Sequence, residues 1–224
     1  MIPEVKICGI TSLEDAETAM LAGTVAIGFI FYPGSPRYVT PDRAREISGK
    51  LPERICRVGV FVDHDSKEVR RIVQFCSLDL IQLHGNESPD YCRAFSPSVL
   101  IKAVSIQKEE DLELLKDYPV RAILVDAHDP VRRGGTGRTC DWNLARKAGE
   151  RHRLILSGGL NPENILPAIE AVRPLAVDIG SGVESRPGKK DPGKIKELMA
   201  AVRSFKDPKK SSPPGKIFQK FEPA

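Results

Sequence analysis

Long apolar runs are missing from this chain of 224 residues: no stretch approaches the roughly 18 consecutive apolar residues that a membrane-spanning helix needs. Also missing, after Met1, is a basic segment followed by an apolar stretch and a small-residue cleavage site, so the sequence predicts a cytoplasmic protein without membrane contact. Cysteines are few and scattered. Cys8, Cys56, Cys76, Cys92 and Cys140 form no C-x-x-C pair, which argues against a disulfide framework and a zinc site and predicts free thiols and no metal. No G-x-x-x-x-G-K-[ST] loop is present to hold a nucleoside triphosphate, and no G-x-G-x-x-G turn follows the first strand to hold a dinucleotide. Net charge is small as well. The formal +4 is concentrated in 206–224, where five lysines face two acidic residues; the nearly neutral body offers no electrostatic footprint for nucleic acid.

What the chain does have is alternation. Short runs rich in Val and Ile, at 4–8, 25–31, 56–62, 80–85, 100–105, 122–127, 153–158 and 175–180, read as strands. Between them helical patterns start near Ser12, Pro41, Ser66, Ser88, Lys108, Asp141, Pro162 and Asp191. Three starts carry capping signals: Thr11 with Glu14 as a capping box, Asn161 before Pro162, and Asp141. Eight β-then-α units with short connections require parallel strands, because each helix returns the chain to the start of the next strand. The count and the length predict an α/β protein, a single (β/α)8 TIM barrel over 1–205, with an open doubly wound sheet as the alternative. From Lys206 the period stops. KDPKKSSPPGKIFQKFEPA, with four prolines, reads as a disordered basic extension over 206–224, in which Ile217, Phe218 and Phe221 are the side chains able to dock.

In such barrels the chemistry sits where strands end and run into helices. Unusual residues collect there: Cys8, Arg37, His84, Asp126, the S-G-G of Ser157–Gly159, and Gly180, Ser181 and Gly182. Strand alternation points Glu4, Lys6 and Cys8 inward on the first strand, and Ala122, Leu124 and Asp126 inward on the sixth. A single cysteine is more often a small buried hydrophobe than a reactive group; an inward place at the chemical end of a strand favours the second role for Cys8. The paired glycine clusters after strands seven and eight let backbone approach an anion closely and predict a phosphate site, although tight turns alone also use such glycines. Strands 6, 7, 8 and 1 are neighbours in a closed barrel, so a phosphosugar held there would lie between Asp126 and Cys8, an acid and a base. His84 reads as a supporting residue in the mouth, and Gly134–Gly137 as a sixth loop able to close over the substrate.

KICGIT, GFIFYPGSPRYV, RVGVFV, IQLHGNE, GGTGRTCDW, LSGGLNPENI and VDIGSGVE, in register from about residue 4 to 205, together resemble phosphoribosylanthranilate isomerase of tryptophan biosynthesis. The resemblance implies an Amadori rearrangement of N-(5-phosphoribosyl)anthranilate to 1-(2-carboxyphenylamino)-1-deoxyribulose 5-phosphate without metal or cofactor. It implies that Cys8 is the general base at C2 of the sugar, Asp126 the general acid at the ring oxygen, and Arg37 the residue that meets the anthranilate carboxylate. Gly158, Gly159, Gly180, Ser181 and Gly182 fall at the phosphate site. The chain departs from the family pattern at Gly180, where Ser is usual, and at Cys140, where Phe is usual. A free thiol is mostly protonated at neutral pH, so the base needs a nearby cation, and Lys6 is the candidate. The only partner expected is a small phosphosugar, bound by a monomer or homodimer. The alternatives are a sister isomerase of histidine biosynthesis, which uses a carboxylate where Cys8 stands, a dual-specificity enzyme, and a non-catalytic phosphate sensor.

Overall fold

In the computed structural model, which describes residues 2–126, 141–206 and 215–219, the alternating runs pair edge to edge until no edge remains. Eight parallel strands, β1 (Glu4–Cys8), β2 (Ala26–Ile30), β3 (Cys56–Phe61), β4 (Leu80–Leu83), β5 (Leu100–Ser105), β6 (Ala122–Asp126), β7 (Leu154–Leu156) and β8 (Ala176–Ile179), form a closed barrel in sequence order. β8 pairs back onto β1 with Lys6 opposite Asp178, and β1 pairs onto β2 with Cys8 opposite Gly28. Outside lie α1 (Leu13–Ala22), α2 (Pro41–Ser48), α3 (Ser66–Phe75), α4 (Pro89–Cys92), α5 (Asp111–Leu114), α6 (Trp142–Arg151), α7 (Ile165–Val172) and α8 (Pro192–Ser204). The expected TIM barrel is the observed one. Two of the expected helices, α4 and α5, are four-residue turns.

Period two separates two cores. Val5, Ile7, Ile27, Phe29, Ile123 and Val125 point outward and bury against the helices, whereas Val58, Leu80, Ile101, Leu124 and Ile155 fill the lower barrel. The cap of α1 differs from expectation. Ser12 Oγ, not Thr11, accepts the Asp15 amide at 3.2 Å, because the Thr11 hydroxyl donates instead to the Gly188 carbonyl at 2.6 Å. Asp141 caps α6 as expected, accepting from Asn143 and Leu144. Asn161 accepts from the Glu163 and Asn164 amides, but this caps a turn, and regular helix begins only at Ile165. An unanticipated hairpin, β9 (Glu184–Arg186) with β10 (Lys189–Lys190), stands between β8 and α8.

Over 215–219 the extension is docked: Ile217 and Phe218, two of the three side chains expected to be able to dock, are buried in the same cluster as the lower barrel core. The Ile217 and Phe218 amides both donate to Glu4 Oε2, at 2.6 and 3.0 Å. Arg121 Nε donates to the Ile217 carbonyl at 2.8 Å, and Arg153 Nη2 to the Gly215 and Lys216 carbonyls. Two apolar side chains suffice to dock a polar segment where an open barrel end offers apolar surface.

Candidate active site

At the opposite end of the barrel, where the strands finish, a cavity of about 590 Å³ opens. Eight of the nine residues expected at the site line it: Cys8, Arg37, His84, Asp126, Gly158, Gly159, Gly180 and Ser181. Gly158 and Gly159 take φ of +83° and +63°, which L-residues rarely adopt. Gly182 stands behind the wall, where an added Cβ would overlap the Leu160 carbonyl oxygen, so the β7 and β8 loops touch backbone to backbone. Cys8 has its own space requirement. A Cβ at Gly28 on the neighbouring strand would come within 2.8 Å of its sulfur. The proposed sixth-loop lid, Gly134–Gly137, lies outside the described residues, as does Cys140.

Below the cavity floor sits a buried ion pair. Lys6 Nζ, with no exposed surface, donates to Asp178 Oδ2 and to Gln82 Oε1, each at 2.8 Å. Burial alone would lower the Lys6 ammonium, but the Asp178 charge and Cys8 outweigh it and hold the group above its ordinary value. The Cys8 thiol moves the opposite way from what the sequence suggested. Burial pushes it above the ordinary cysteine value, the Lys6 charge pulls it down, and Asp178 pushes it up again; burial wins. Lys6 is thus the predicted cation, but the resting base is a thiol. In Lys6→Met the thiol should rise further, so that its alkylation at a given alkaline pH is slower than in the wild type. An unchanged pH profile of alkylation would remove Lys6 from the account.

A second charged node was not read from the sequence. Arg37 forks onto Glu184 through Nε and Nη2, both at 2.8 Å. Lys190, from β10, donates to Glu184 Oε1 at 2.9 Å, to the Cys8 carbonyl at 2.6 Å and to the Gly180 carbonyl at 2.9 Å. Burial alone would raise the Glu184 carboxyl, but the Arg37 hydrogen bonds and the Lys190 charge hold it below the usual range. The hairpin therefore ties the end of β1, the end of β8 and the Arg37 loop into one unit. Glu184 and Lys190 meet these partners only through the hairpin, and no local pattern announces that.

His84 joins the site through two bonds. Its Nδ1 lies 2.9 Å from Gln82 Nε2, and its Nε2 lies 3.1 Å from Asp126 Oδ2. Opposite the glycine loops, Ile30, Tyr32, Pro36, Val60 and Val62 make an apolar wall. Asp178 Oδ1, buried at the cavity, has no hydrogen-bond partner among the described residues.

A TIM barrel with a thiol and a carboxyl at one cavity, flanked by glycine loops, has the parts that a phosphosugar isomerase needs. Comparison with known proteins makes the class particular. Residues 5–201 match the family described as N-(5'phosphoribosyl)anthranilate (PRA) isomerase, and the chain belongs to that family. It is 53% identical over 202 residues to the N-(5'-phosphoribosyl)anthranilate isomerase of Syntrophus aciditrophicus (strain SB), covering 90% of this chain and 88% of the relative. A crystal structure of phosphoribosyl anthranilate isomerase from Thermotoga maritima superposes with a TM-score of 0.83 at 44% identity, covering 91% of this chain and 100% of that one. A crystal structure of a phosphoribosyl anthranilate isomerase in complex with reduced 1-(o-carboxyphenylamino)-1-deoxyribulose 5-phosphate gives 0.80 at 42% identity, with 91% and 100% covered. The chain is an isomerase of tryptophan biosynthesis, a branch of aromatic amino acid biosynthesis.

Proposed function

We propose that Cys8 and Asp126 perform the two proton transfers by which N-(5'-phosphoribosyl)anthranilate becomes 1-(2-carboxyphenylamino)-1-deoxyribulose 5-phosphate. The observation that carries this reading is that both side chains reach the same cavity, Cys8 from β1 and Asp126 from β6, with the β7 and β8 glycine loops between their strands. Asp126 protonates the ribose ring oxygen, the bond from C1 to that oxygen breaks, and the nitrogen lone pair forms an iminium. The iminium charge next to C2 favours the Cys8 thiolate, which the resting site disfavours. Cys8 then takes the C2 proton, and the released electron pair forms the enolamine. Loss of the C2 hydroxyl proton with protonation at C1 gives the ketose.

Binding follows the asymmetry of the cavity. The apolar wall takes the anthranilate ring, and Arg37 meets its carboxylate through Nη1, the arm of the fork that Glu184 does not hold. Gly158, Gly159, Gly180 and Ser181 receive the phosphate, and Asp178 Oδ1 accepts from a sugar hydroxyl. Arg37→Met should weaken binding of the reduced product analogue by about 10–100-fold, the range for a hydrogen bond to a charged group. The same analogue without its ring carboxylate should bind both proteins alike in a calorimetric titration. Equal affinity of the two proteins for the intact analogue would place the carboxylate elsewhere.

A further inference from the structure

Between the thiol and the acid the barrel floor holds a continuous chain of hydrogen bonds, Asp178–Lys6–Gln82–His84–Asp126, with successive separations of 2.8, 2.8, 2.9 and 3.1 Å. Its polarity is determined at one end. Lys6, ion-paired to Asp178, has only N–H donors to offer. The atom of the Gln82 amide that faces it must therefore be the oxygen, which turns the NH2 towards His84. An amide NH2 has no lone pair to give, so His84 Nδ1 must accept, and the one ring proton resides on Nε2. From there it points at Asp126 Oδ2.

We infer that Gln82, oriented by Lys6, is a positioning residue that locks His84 in its Nε2–H form and so makes the acid proton of Asp126 leave from Oδ1. The inference rests on the reading of Asp126 as the general acid. With the imidazole donating to Oδ2, that oxygen is an acceptor in both states of the carboxyl, and the transferable proton belongs on Oδ1. After transfer, the same N–H stabilises the carboxylate left behind. The opposite tautomer would present a lone pair to Oδ2. It would hold the acid proton on Oδ2, in the bond to the imidazole, and repel the product carboxylate. Burial supports the lock: Lys6 and Gln82 have no exposed surface, so water does not compete for either amide face. The raised Lys6 ammonium keeps the first link a donor through the neutral range.

The test is nitrogen NMR of ring-labelled histidine in the full-length protein, combined with steady-state kinetics of Gln82→Glu. The wild type should show a pyridine-like Nδ1 and a pyrrole-like Nε2 for His84. In Gln82→Glu a carboxylate faces Nδ1, and the spectrum should reverse, with the proton moved to Nδ1 and Nε2 left as the acceptor. kcat should then fall by about 100-fold, the lower end for misplacing a general acid, with KM within about threefold of the wild type. A wild-type spectrum with Nδ1 protonated overturns the inference, whether or not the variant folds. So does a reversed spectrum with unchanged kcat. Turnover that survives Asp126→Asn would overturn the acid assignment and the relay's purpose together, and the wild-type spectrum separates that failure from a failure of the lock.

Discussion

Asp126→Asn is expected to lower kcat by about 10³-fold, in the middle of the range for a positioned general acid, while leaving the barrel folded. Asparagine keeps the size of the side chain and an oxygen able to accept from His84 Nε2, which in the wild type lies 3.1 Å from Oδ2. What it lacks is a proton to give to the ribose oxygen. Without that proton the ring opens against a poor leaving group, whereas the substrate's phosphate, ring and carboxylate contacts are untouched, so KM should change little. The measurement is the loss of substrate fluorescence with phosphoribosylanthranilate generated in situ. Activity within a few-fold of the wild type would move the acid elsewhere, and His84 would be the first residue to test.

The second large effect is on stability and lies at the other end of the barrel. Phe218→Ala combined with Ile217→Ala, or removal of everything after Lys206, should lower the unfolding free energy by about 3–5 kcal/mol, as for large-to-small changes in a core. Ile217 is fully buried and Phe218 nearly so, and both pack with the inward residues of the lower barrel. Removing the segment also strips Glu4 Oε2 of two amide donors and Arg121 of three carbonyl acceptors. Water can replace these polar partners, whereas it cannot replace the apolar contacts, so the apolar term dominates. At roughly 2–4 °C per kcal/mol for a chain of this size, the melting temperature should fall by about 6–20 °C. Turnover at low temperature should be unaffected, because the cavity lies at the opposite end. A melting temperature that stays put would mean that the segment does not occupy the barrel end in solution.

Why the sequence only hints at this docking, yet reveals the rest of the fold, comes down to the length of the signal. The barrel is written eight times over in strand-length apolar runs, and each repetition supports the others. The docked segment is written once, as Ile217-Phe218 within lysines and prolines, and its partner surface exists only after the barrel closes. The capping signals show the same limit on a smaller scale. Asp141 caps α6 as read, whereas the Thr11 hydroxyl is taken by Gly188, a residue 177 positions away that no local pattern brings near.

The candidate site divides along the same line. Cys8 and Asp126 were legible because alternation alone places a residue inside or outside a strand, and Lys6 was legible for the same reason. The response of the thiol was not. A cation two residues away suggested a lowered thiol, but burial and the Asp178 carboxylate, contributed by the strand that closes the barrel, outweigh it. Arg37 was placed by motif, but the Glu184 carboxylate that aims it arrives on a hairpin with no strand-like sequence signature. Gln82 and His84, two residues apart, share a face by alternation; that one bonds Lys6 and the other Asp126 follows only from the closed barrel.

The proposed reaction stands or falls on whether Cys8 takes the C2 proton. Its most direct test is turnover of phosphoribosylanthranilate by Cys8→Ala, with folding verified by the melting temperature and binding by titration with the reduced product analogue. The account predicts a folded protein that binds the analogue about as well as the wild type and loses at least about 10²-fold in kcat, the lower end of the range for a positioned base. A variant that binds the analogue and turns over near the wild-type rate would contradict it, and would make Cys8 a small buried residue at the end of β1.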